Sequence, residues 1–261
     1  MEEPQPSGWF YRLSPHLVIR TRCHPHGAGK SEQVLLVKSG EAFPPGHPTT
    51  RLCLDLLRQA LAAGGVNRLL DMGCGTGVLG LAAAALGVPW VVGVDMARGA
   101  AGITRENARR NGLAGPLMVV QGSTECLKVP FDLVVANLPW EVQMDKAPEL
   151  DRLAAAQGLL ILSGFRDDQE NLLLESYLKL GWSLSQRLVK EFYHPELPSD
   201  LSFTWVAWLL AGRCRRRARR PAAARRSRRG LSRAGTGRAG GGSYPSRAAT
   251  GGECSGDHHP A

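Results

Sequence analysis

The middle of the chain, from about residue 66 to residue 210, alternates between two spacings of hydrophobic residues. Short apolar runs are typical of buried strands, and longer stretches with apolar residues at helical spacing separate them. The strand-like runs are VNRLLDM, WVVGVD, PLMVVQ, FDLVVAN and GLLILS. Strands that alternate with helices in this way predict a parallel sheet covered by helices on both faces.

Helices are predicted where punctuating residues bound the stretches next to these runs. Thr49 or Thr50 is a candidate N-cap for a helix that ends near Ala63, before a Gly-Gly pair. The remaining predicted helices are Gly77–Leu86, Ala97–Asn111, residues 146–156 and Arg166–Leu180.

The last two apolar runs, WSLSQRLVKEF and SFTWVAWLL, have no helix between them and are joined by the loop HPELPSD. They predict an antiparallel hairpin at the end of the sheet. Trp182, Trp205 and Trp208 lie on these runs, and we interpret them as core or hairpin packing rather than as a platform for stacking bases.

The two ends of the chain differ in composition from its middle. Residues 1–42 form a short extension with strand-like runs, and residues 43–210 form the domain with the alternating pattern. Residues 211–261 carry 13 Arg, no Lys and only two acidic residues. This tail has too few apolar residues to offset the entropy of ordering, so it is predicted to be disordered. It is either an electrostatic tether to RNA or another polyanion, or an extension without function.

The composition also argues against several classes of protein. The first ten residues are acidic and Pro-rich, so no secretory signal is predicted. The 23 uncharged residues from Met72 to Val94 include six glycines and a proline, which is not the composition of a membrane helix. The six cysteines form no C-x-x-C pair, so neither a disulfide framework nor a metal site is indicated. We therefore expect a soluble, cytoplasmic protein without a membrane contact.

A glycine-rich loop joins the first parallel strand to an Ala-rich helix. Glycines permit tight turns and a close approach of the backbone to a ligand. The N-terminus of the following helix presents N–H groups and the positive end of its dipole. Such a loop lies at the carboxyl end of its strand, where open α/β sheets bind ligands. The candidate ligand-binding residues are Asp71, Gly73, Cys74, Gly75 and Gly77.

Two ligands compete for this loop. Gly75–Gly80 matches the G-x-G-x-x-G pattern of dinucleotide sites, and Asp95, about 20 residues further on, would then hold a ribose. Asp71, however, would repel a pyrophosphate and attract a cationic ligand such as S-adenosylmethionine, which has an ammonium, a sulfonium and no phosphate. Asp95 can accept hydrogen bonds from both ribose hydroxyls, and Met96 can lie against the adenine. The charge of Asp71 therefore favours S-adenosylmethionine.

The strand FDLVVAN ends in the sequence Asn-Leu-Pro-Trp, residues 137–140. We expect this strand beside the first one, so that its end faces the sulfonium. Asn137 and the following backbone carbonyl can accept hydrogen bonds from an amine and place its nitrogen in line with the methyl group. Trp140 can wall the pocket and stack on a planar or cationic group. Asn137, Pro139 and Trp140 are therefore the candidate catalytic residues, and no dedicated general base is evident.

These motifs resemble those of class I S-adenosylmethionine-dependent methyltransferases, and most of all those of the PrmA-type ribosomal-protein methyltransferases. The similarity covers about residues 43–210 and rests on GHPTT, LLDMGCGTGVLGLAAAALG, VVGVDM, TRENARRNG, VVANLPW and LLILSGF. It implies a Rossmann-like α/β fold with a seven-stranded, mostly parallel sheet, helices on both faces and an antiparallel last strand. The donor contacts that it implies are Asp71, Gly73, Gly75, Asp95 and Asn137, and the GHPTT stretch adds Thr49.

The combined prediction is an S-adenosylmethionine-dependent N-methyltransferase that acts on a protein amine or amide, such as a lysine or an N-terminal amine, with a ribosomal protein as the candidate partner. The alternative is methylation of a base in rRNA, tRNA or DNA. It is favoured by the basic tail and by the Asn-Leu-Pro-Trp loop, which resembles the Asn-Pro-Pro-aromatic loop of enzymes that methylate glutamine amides or exocyclic base amines. A non-enzymatic alternative is an RNA-binding module that keeps the same fold.

Overall fold

The computed structural model of the chain describes residues 10–21, 32–40, 42–192 and 203–212. The predicted disorder of the tail falls on residues outside these ranges, apart from Ala211 and Gly212, and so stays a prediction. The predicted loop HPELPSD also lies outside the described residues. Within them, none of the helices has the length and apolar character needed to cross a bilayer.

The first strands form a small sheet of their own. They are β1 (Phe10–Ser14), β2 (Leu17–Arg20) and β3 (Gln33–Leu36). The order is β1-β2-β3, with β1 antiparallel and β3 parallel to β2. The side chains of Leu13, Ile19 and Leu35 are buried in the same hydrophobic core as residues of the following helices. The N-terminal strands are therefore packed onto the main domain.

The main sheet has seven strands in the order β6-β5-β4-β7-β8-β10-β9. Its strands are β4 (Arg68–Met72), β5 (Trp90–Asp95), β6 (Leu117–Gln121), β7 (Phe131–Asn137), β8 (Ala154–Arg166), β9 (Ser183–Phe192) and β10 (Phe203–Ala211). Strand β10 pairs antiparallel with both β8 and β9, whereas the pairs from β6 to β8 are parallel. The predicted fold class, with its antiparallel last strand, is confirmed.

Five helices cover the two faces of this sheet. They are α1 (Pro48–Ala62), α2 (Val78–Ala85), α3 (Arg98–Arg110), α4 (Trp140–Leu153) and α5 (Glu170–Lys179). Leu133 and Val135 of β7 pack in one core with α1 and α2, whereas Val134 and Ala136 pack in a second core with α4 and α5. Because successive side chains of a strand point to opposite faces, the uninterrupted apolar run in β7 serves both cores.

The start of α1 differs from the prediction. The N-cap is His47 rather than Thr49 or Thr50, and His47 Nδ1 accepts a hydrogen bond from Thr49 N at 3.3 Å. Pro48 occupies the first helical position, where its missing N–H leaves no hydrogen bond unmade. Both threonines are therefore buried inside the first turn.

The region after β7 also differs from the prediction. Helix α4 begins at Trp140 and ends at Leu153, whereas a helix was predicted over residues 146–156. The buried positions of its first half include the polar Gln143, and Pro148 lies inside the helix. Both residues hide the helical period, because Gln143 places a polar residue on the buried face and Pro148 is a poor helix former.

Candidate active site

A cavity of about 1340 Å³ opens at the carboxyl ends of β4, β5 and β7. Its wall includes Gly73 and Gly75 after β4, Asp95 and Met96 at the end of β5, and Asn137 at the end of β7. The three strands are neighbours in the sheet, and this edge is where open α/β sheets bind ligands. The other predicted site residues that line the cavity are Thr49, Pro139 and Trp140.

The glycine loop holds a backbone conformation that requires glycine at two closely packed positions. Gly73 and Gly77 have φ of 70° and 78°, in the left-handed region that side chains disfavour. A Cβ on Gly73 would lie 2.3 Å from Leu138 Cδ2, and one on Gly77 would lie 2.6 Å from Thr104 Cγ2. The loop is therefore pressed against the segment after β7 on one side and against α3 on the other.

Asp95 presents its carboxylate to the cavity in a fixed orientation. Its Oδ2 accepts a hydrogen bond from Gly75 N at 2.9 Å, and its Oδ1 accepts one from Ala97 N, also at 2.9 Å. Each carboxylate oxygen can accept a further hydrogen bond, so the pair is able to hold two neighbouring hydroxyl groups. Met96, the next residue, is 72% exposed on the cavity wall. It offers an apolar surface for a flat ring.

Three of the predicted ligand-binding residues, Asp71 in β4 and Cys74 and Gly77 in the loop itself, do not line the cavity. Asp71 is buried, and its Oδ2 accepts a hydrogen bond from Gly80 N at 2.9 Å. Burial raises the pKa of the Asp71 carboxyl to about 7. Cys74 is also buried, with Sγ 3.4 Å from Thr104 Oγ1, and Gly77 is the N-cap of α2. These residues shape the loop, because their side chains or backbone turn inward.

The position of Asp71 corrects the reason for preferring S-adenosylmethionine over a dinucleotide, which was a direct effect of the Asp71 charge on the ligand. Its carboxylate binds the third N–H of α2, at the helix end where a dinucleotide pyrophosphate would need free donors. In addition, Gly73 N and Cys74 N donate to Val94 O, and Gly75 N donates to Asp95. Most of the loop's N–H groups are therefore already engaged within the protein. The loop is poorly suited to a pyrophosphate for this geometric reason, rather than through direct contact between Asp71 and the ligand.

The segment after β7 is held by contacts that the sequence did not reveal. Asn137 Nδ2 donates to Thr50 Oγ1 at 3.4 Å, which orients the amide. The backbone carbonyl of Leu138, which is predicted to accept a hydrogen bond from the amine, also accepts one from Gln143 Nε2 at 2.6 Å, and its second lone pair can take another. Gln143 is fully buried and donates also to Ser163 O at 2.8 Å. In the sequence, Gln143 is recognisable as a polar residue on the buried face of α4, four residues before the buried Ala147.

Aromatic side chains form part of the cavity wall. Trp182 and Trp208 are buried, as predicted. Trp205 is partly buried against the hydrophobic core, which agrees with its interpretation as a packing residue, and it also lines the cavity. Its ring centroid lies 4.9 Å from that of His47 and 5.2 Å from that of Phe203. Strand β10 carries both Trp205 and Phe203 into the site because it inserts between β8 and β9. The antiparallel pairing of β9 with β10 confirms the predicted hairpin, whereas periodicity did not reveal that β10 is the strand next to β8.

Charged groups at the cavity wall include Arg166, whose guanidinium lies 5.4 Å from the centroid of the Phe203 ring. Arg166 also forms an ion pair with Asp168 at 3.1 Å. Glu141 lines the cavity too and is exposed. Partial burial lowers the pKa of His47 below its ordinary value, so this ring is more readily neutral at pH 7.

The strand order, the single antiparallel strand and the position of the cavity define a Rossmann-like fold of the class I methyltransferase type. A ribosomal protein L11 methylase from Lactobacillus delbrueckii subsp. bulgaricus shares it, with a TM-score of 0.65 and 23% identity over 78% of this chain and 98% of that one. A putative RNA methyltransferase from Pyrococcus horikoshii also shares it, with a TM-score of 0.54 and 18% identity over 66% of this chain and 86% of that one.

Sequence comparison shows the family to which this chain belongs. The family model for ribosomal protein L11 methyltransferase (PrmA) matches residues 10–193, so the chain belongs to this family. It is 37% identical over 172 residues to the ribosomal protein L11 methyltransferase of Syntrophotalea carbinolica, covering 65% of this chain and 56% of that protein. It is 33% identical over 188 residues to the one of Thermotoga neapolitana, covering 70% and 69%. The chain therefore spans between about half and two thirds of the length of these relatives.

Proposed function

We propose that the protein transfers a methyl group from S-adenosylmethionine to a nitrogen of a protein, a lysine or N-terminal amine, and that a ribosomal protein such as L11 is the acceptor. The single observation that carries this proposal is that one cavity contains groups suited to both reactants. The Asp95 carboxylate is able to hold a diol, and the Asn137 amide and the aromatic side chains, such as Trp205, are suited to an amine. Family membership supports the reaction class, and the name of the relatives supports the acceptor.

The donor half of the cavity fits S-adenosylmethionine. Asp95 offers two oriented oxygens to the ribose hydroxyls, and Met96 lies beside them on the wall for the adenine. Gly75 allows a close approach of the methionine part because it carries no Cβ and has no neighbour closer than 3.9 Å to that position. When bound, the donor supplies an electrophilic methyl group on a positively charged sulfur. S-adenosylmethionine has no phosphate group, which agrees with a loop whose N–H groups are mostly bonded within the protein.

The acceptor half fits an amine that must lose its proton. A lysine ammonium has an ordinary pKa of about 10.4, and a poorly hydrated site lowers it. Trp205 and Trp140 supply apolar faces that bind the alkyl chain and the cation. The oxygen of Asn137 can accept a hydrogen bond from the amine while the nitrogen lone pair stays free for attack. The proton leaves to solvent at the exposed side of the cavity.

The donor assignment can be tested with S-adenosylhomocysteine by calorimetric titration of the full chain. Asp95→Ala should weaken binding at least tenfold, since it removes two charge-assisted hydrogen bonds to the ligand. Asp132→Ala is the matched control, because Asp132 also accepts two backbone N–H bonds at 2.9 Å, from Asn67 and Arg68, but lies near the start of β7 and does not line the cavity. Absence of binding to the native chain, or equal effects of both variants, would contradict the proposal.

The acceptor can be tested with tritiated donor and separated ribosomal proteins and RNA. Label that is lost on protease treatment and mapped to one ribosomal protein supports a protein acceptor. Label that is lost on RNase treatment identifies the alternative, a base methyltransferase. Asn137→Ala should lower kcat by about 100-fold while it leaves S-adenosylhomocysteine affinity within a few-fold, because the side chain positions the acceptor.

We also propose that the Arg-rich tail contributes contacts to RNA around such a substrate, on the ground of its charge alone. A cytoplasmic location accords with a ribosomal substrate and is part of the same proposal. Removal of the tail should lower the salt-dependent part of the affinity for ribosomal particles and leave S-adenosylhomocysteine binding unchanged.

A further inference from the structure

Asn107 of α3 and Asn111, the C-cap of that helix, continue the hydrogen bonding of the small N-terminal sheet. The side chain of Asn111 accepts from Leu36 N at 2.8 Å and donates to Leu36 O at 2.9 Å. The side chain of Asn107 does the same for Lys38, with both distances at 2.9 Å. Each amide group thus pairs with one residue of the chain as a neighbouring strand would. The edge of β3 is covered by side chains of a helix.

The spacing of these four residues explains why the contact is regular. Two residues of a strand rise about 6.6 Å, and four residues of a helix rise about 6 Å. Asn107 and the C-cap residue Asn111 are four apart, and Leu36 and Lys38 are two apart along the extended chain. The two repeats match within about 1 Å, so both amides reach their partners without distortion. The stretch TRENARRNG contains both asparagines.

Only Asn107 of this pair also reaches the glycine loop. Its Nδ2 donates to Thr76 O at 2.9 Å, and the residue is fully buried. The corresponding extra hydrogen bond of Asn111 goes to Asn107 O, within its own helix. Asn107 therefore joins three parts of the molecule: α3, the loop that follows β4 and the chain that follows β3.

The chain that follows β3 leads directly onto the wall of the cavity. We call residues 38–40 and 42–47 the rim segment, since Gly40, Phe43 and His47 in it line the cavity. Gly40 has φ of 56°, and a Cβ on it would lie 3.0 Å from Ile103 Cδ1 of α3. The rim segment is thus anchored at Lys38 by Asn107 and then passes over the side of α3 that faces the cavity.

We propose that Asn107 is a positioning residue that couples the glycine loop to the rim segment, so that donor binding and closure of the rim depend on each other. This inference depends on the proposed function in one respect: S-adenosylmethionine is the ligand that the glycine loop binds. A single amide whose two N–H groups bind Lys38 O and Thr76 O cannot keep both bonds when either segment moves alone. Order in one segment therefore favours order in the other.

The test compares Asn107→Ala with Asn111→Ala in the full chain by amide hydrogen exchange and by titration with S-adenosylhomocysteine. Asn111→Ala removes the same strand-like pairing but no contact to the loop, so it is the matched control. It should speed exchange in residues 33–36 alone and change affinity less than about twofold. Asn107→Ala should speed exchange in both the rim segment and residues 73–77, and it should weaken affinity by about tenfold, as the loss of a buried hydrogen bond predicts.

The outcomes separate this inference from the donor assignment. Native-like exchange of residues 73–77 in Asn107→Ala, or the same exchange pattern in both variants, would overturn the coupling. A native chain that shows no affinity for S-adenosylhomocysteine but retains the two distinct exchange patterns would support the coupling and refute the donor. Asn107→Asp and Asn111→Asp repeat the comparison if the alanine variants do not fold, since Asp keeps the acceptor to the strand N–H but loses both donors.

Discussion

The buried carboxyl of Asp71 should make the stability of this protein depend on pH in a way that one substitution abolishes. Burial raises its pKa from 3.8 to about 7, against the opposing hydrogen bond from Gly80 N. The unfolded chain releases this proton near pH 4, and the folded chain keeps it to about pH 7. The free energy of unfolding therefore falls as the pH rises through this interval and levels off above it.

The magnitude follows from the difference between the two pKa values. Each pKa unit corresponds to about 1.4 kcal/mol, so the full difference between 3.8 and about 7 amounts to about 4 kcal/mol. About 2–3 kcal/mol of this develops between pH 5 and pH 8. Cys53 and Cys74, whose thiols interact with Asp71, do not add to it, because burial raises the pKa of both thiols and keeps them neutral over this range.

Urea unfolding of the native chain and of Asp71→Asn at pH 5, 6, 7 and 8 measures this effect. Asn has nearly the same shape and keeps an acceptor for Gly80 N, but it has no proton to lose over this range. The variant should gain about 2–3 kcal/mol relative to the native chain between pH 5 and pH 8. A difference between the two proteins that stays constant across these pH values would refute the reasoning.

Three further substitutions have expected outcomes. Gly164→Ala should lower the free energy of unfolding by at least about 1–3 kcal/mol in urea and abolish methyl transfer, because its φ is 102° and a Cβ would lie 2.2 Å from Leu138 O. Gly102→Ala should raise the stability by about 0.5–1 kcal/mol in the same assay, because this helical residue has open space around its Cα. Glu170→Gln should lower Tm, at a cost of about 1–2 kcal/mol, because its carboxylate accepts hydrogen bonds from Trp208 Nε1 at 2.8 Å and from Arg187 at 2.7 Å.

Each of these expectations can fail on its own. Native stability and activity in Gly164→Ala would mean that the segment after β7 can move without loss, contrary to the close packing around Leu138. A destabilised Gly102→Ala would reveal a contact in solution that the structure lacks. An unchanged Tm in Glu170→Gln would show that the ion pair at the end of α5 adds nothing beyond the neutral hydrogen bond to Trp208.

The sequence determined the order of elements and the end of the sheet at which the site lies. Apolar runs of strand length, separated by stretches of helical spacing, permit few arrangements other than a parallel sheet covered on both faces. Gly73, Asp95 and Asn137 follow or end three parallel strands that are neighbours in the sheet, so the carboxyl edge brings them together whatever the details of packing. These inferences succeeded because they depend on local periodicity and on the geometry of parallel strands.

Only the tertiary structure decided which side of the loop each residue faces and which distant segments complete the wall. Asp71 and Cys74 turn inward, Gln143 also donates to the carbonyl that is predicted to bind the amine, and Trp205 reaches the cavity because β10 inserts between β8 and β9. These outcomes depend on contacts between residues far apart in the chain, such as that of Asn107 with Lys38. Periodicity reports which side chains are buried but not against what they pack, so the chemistry of the wall had to come from the folded chain.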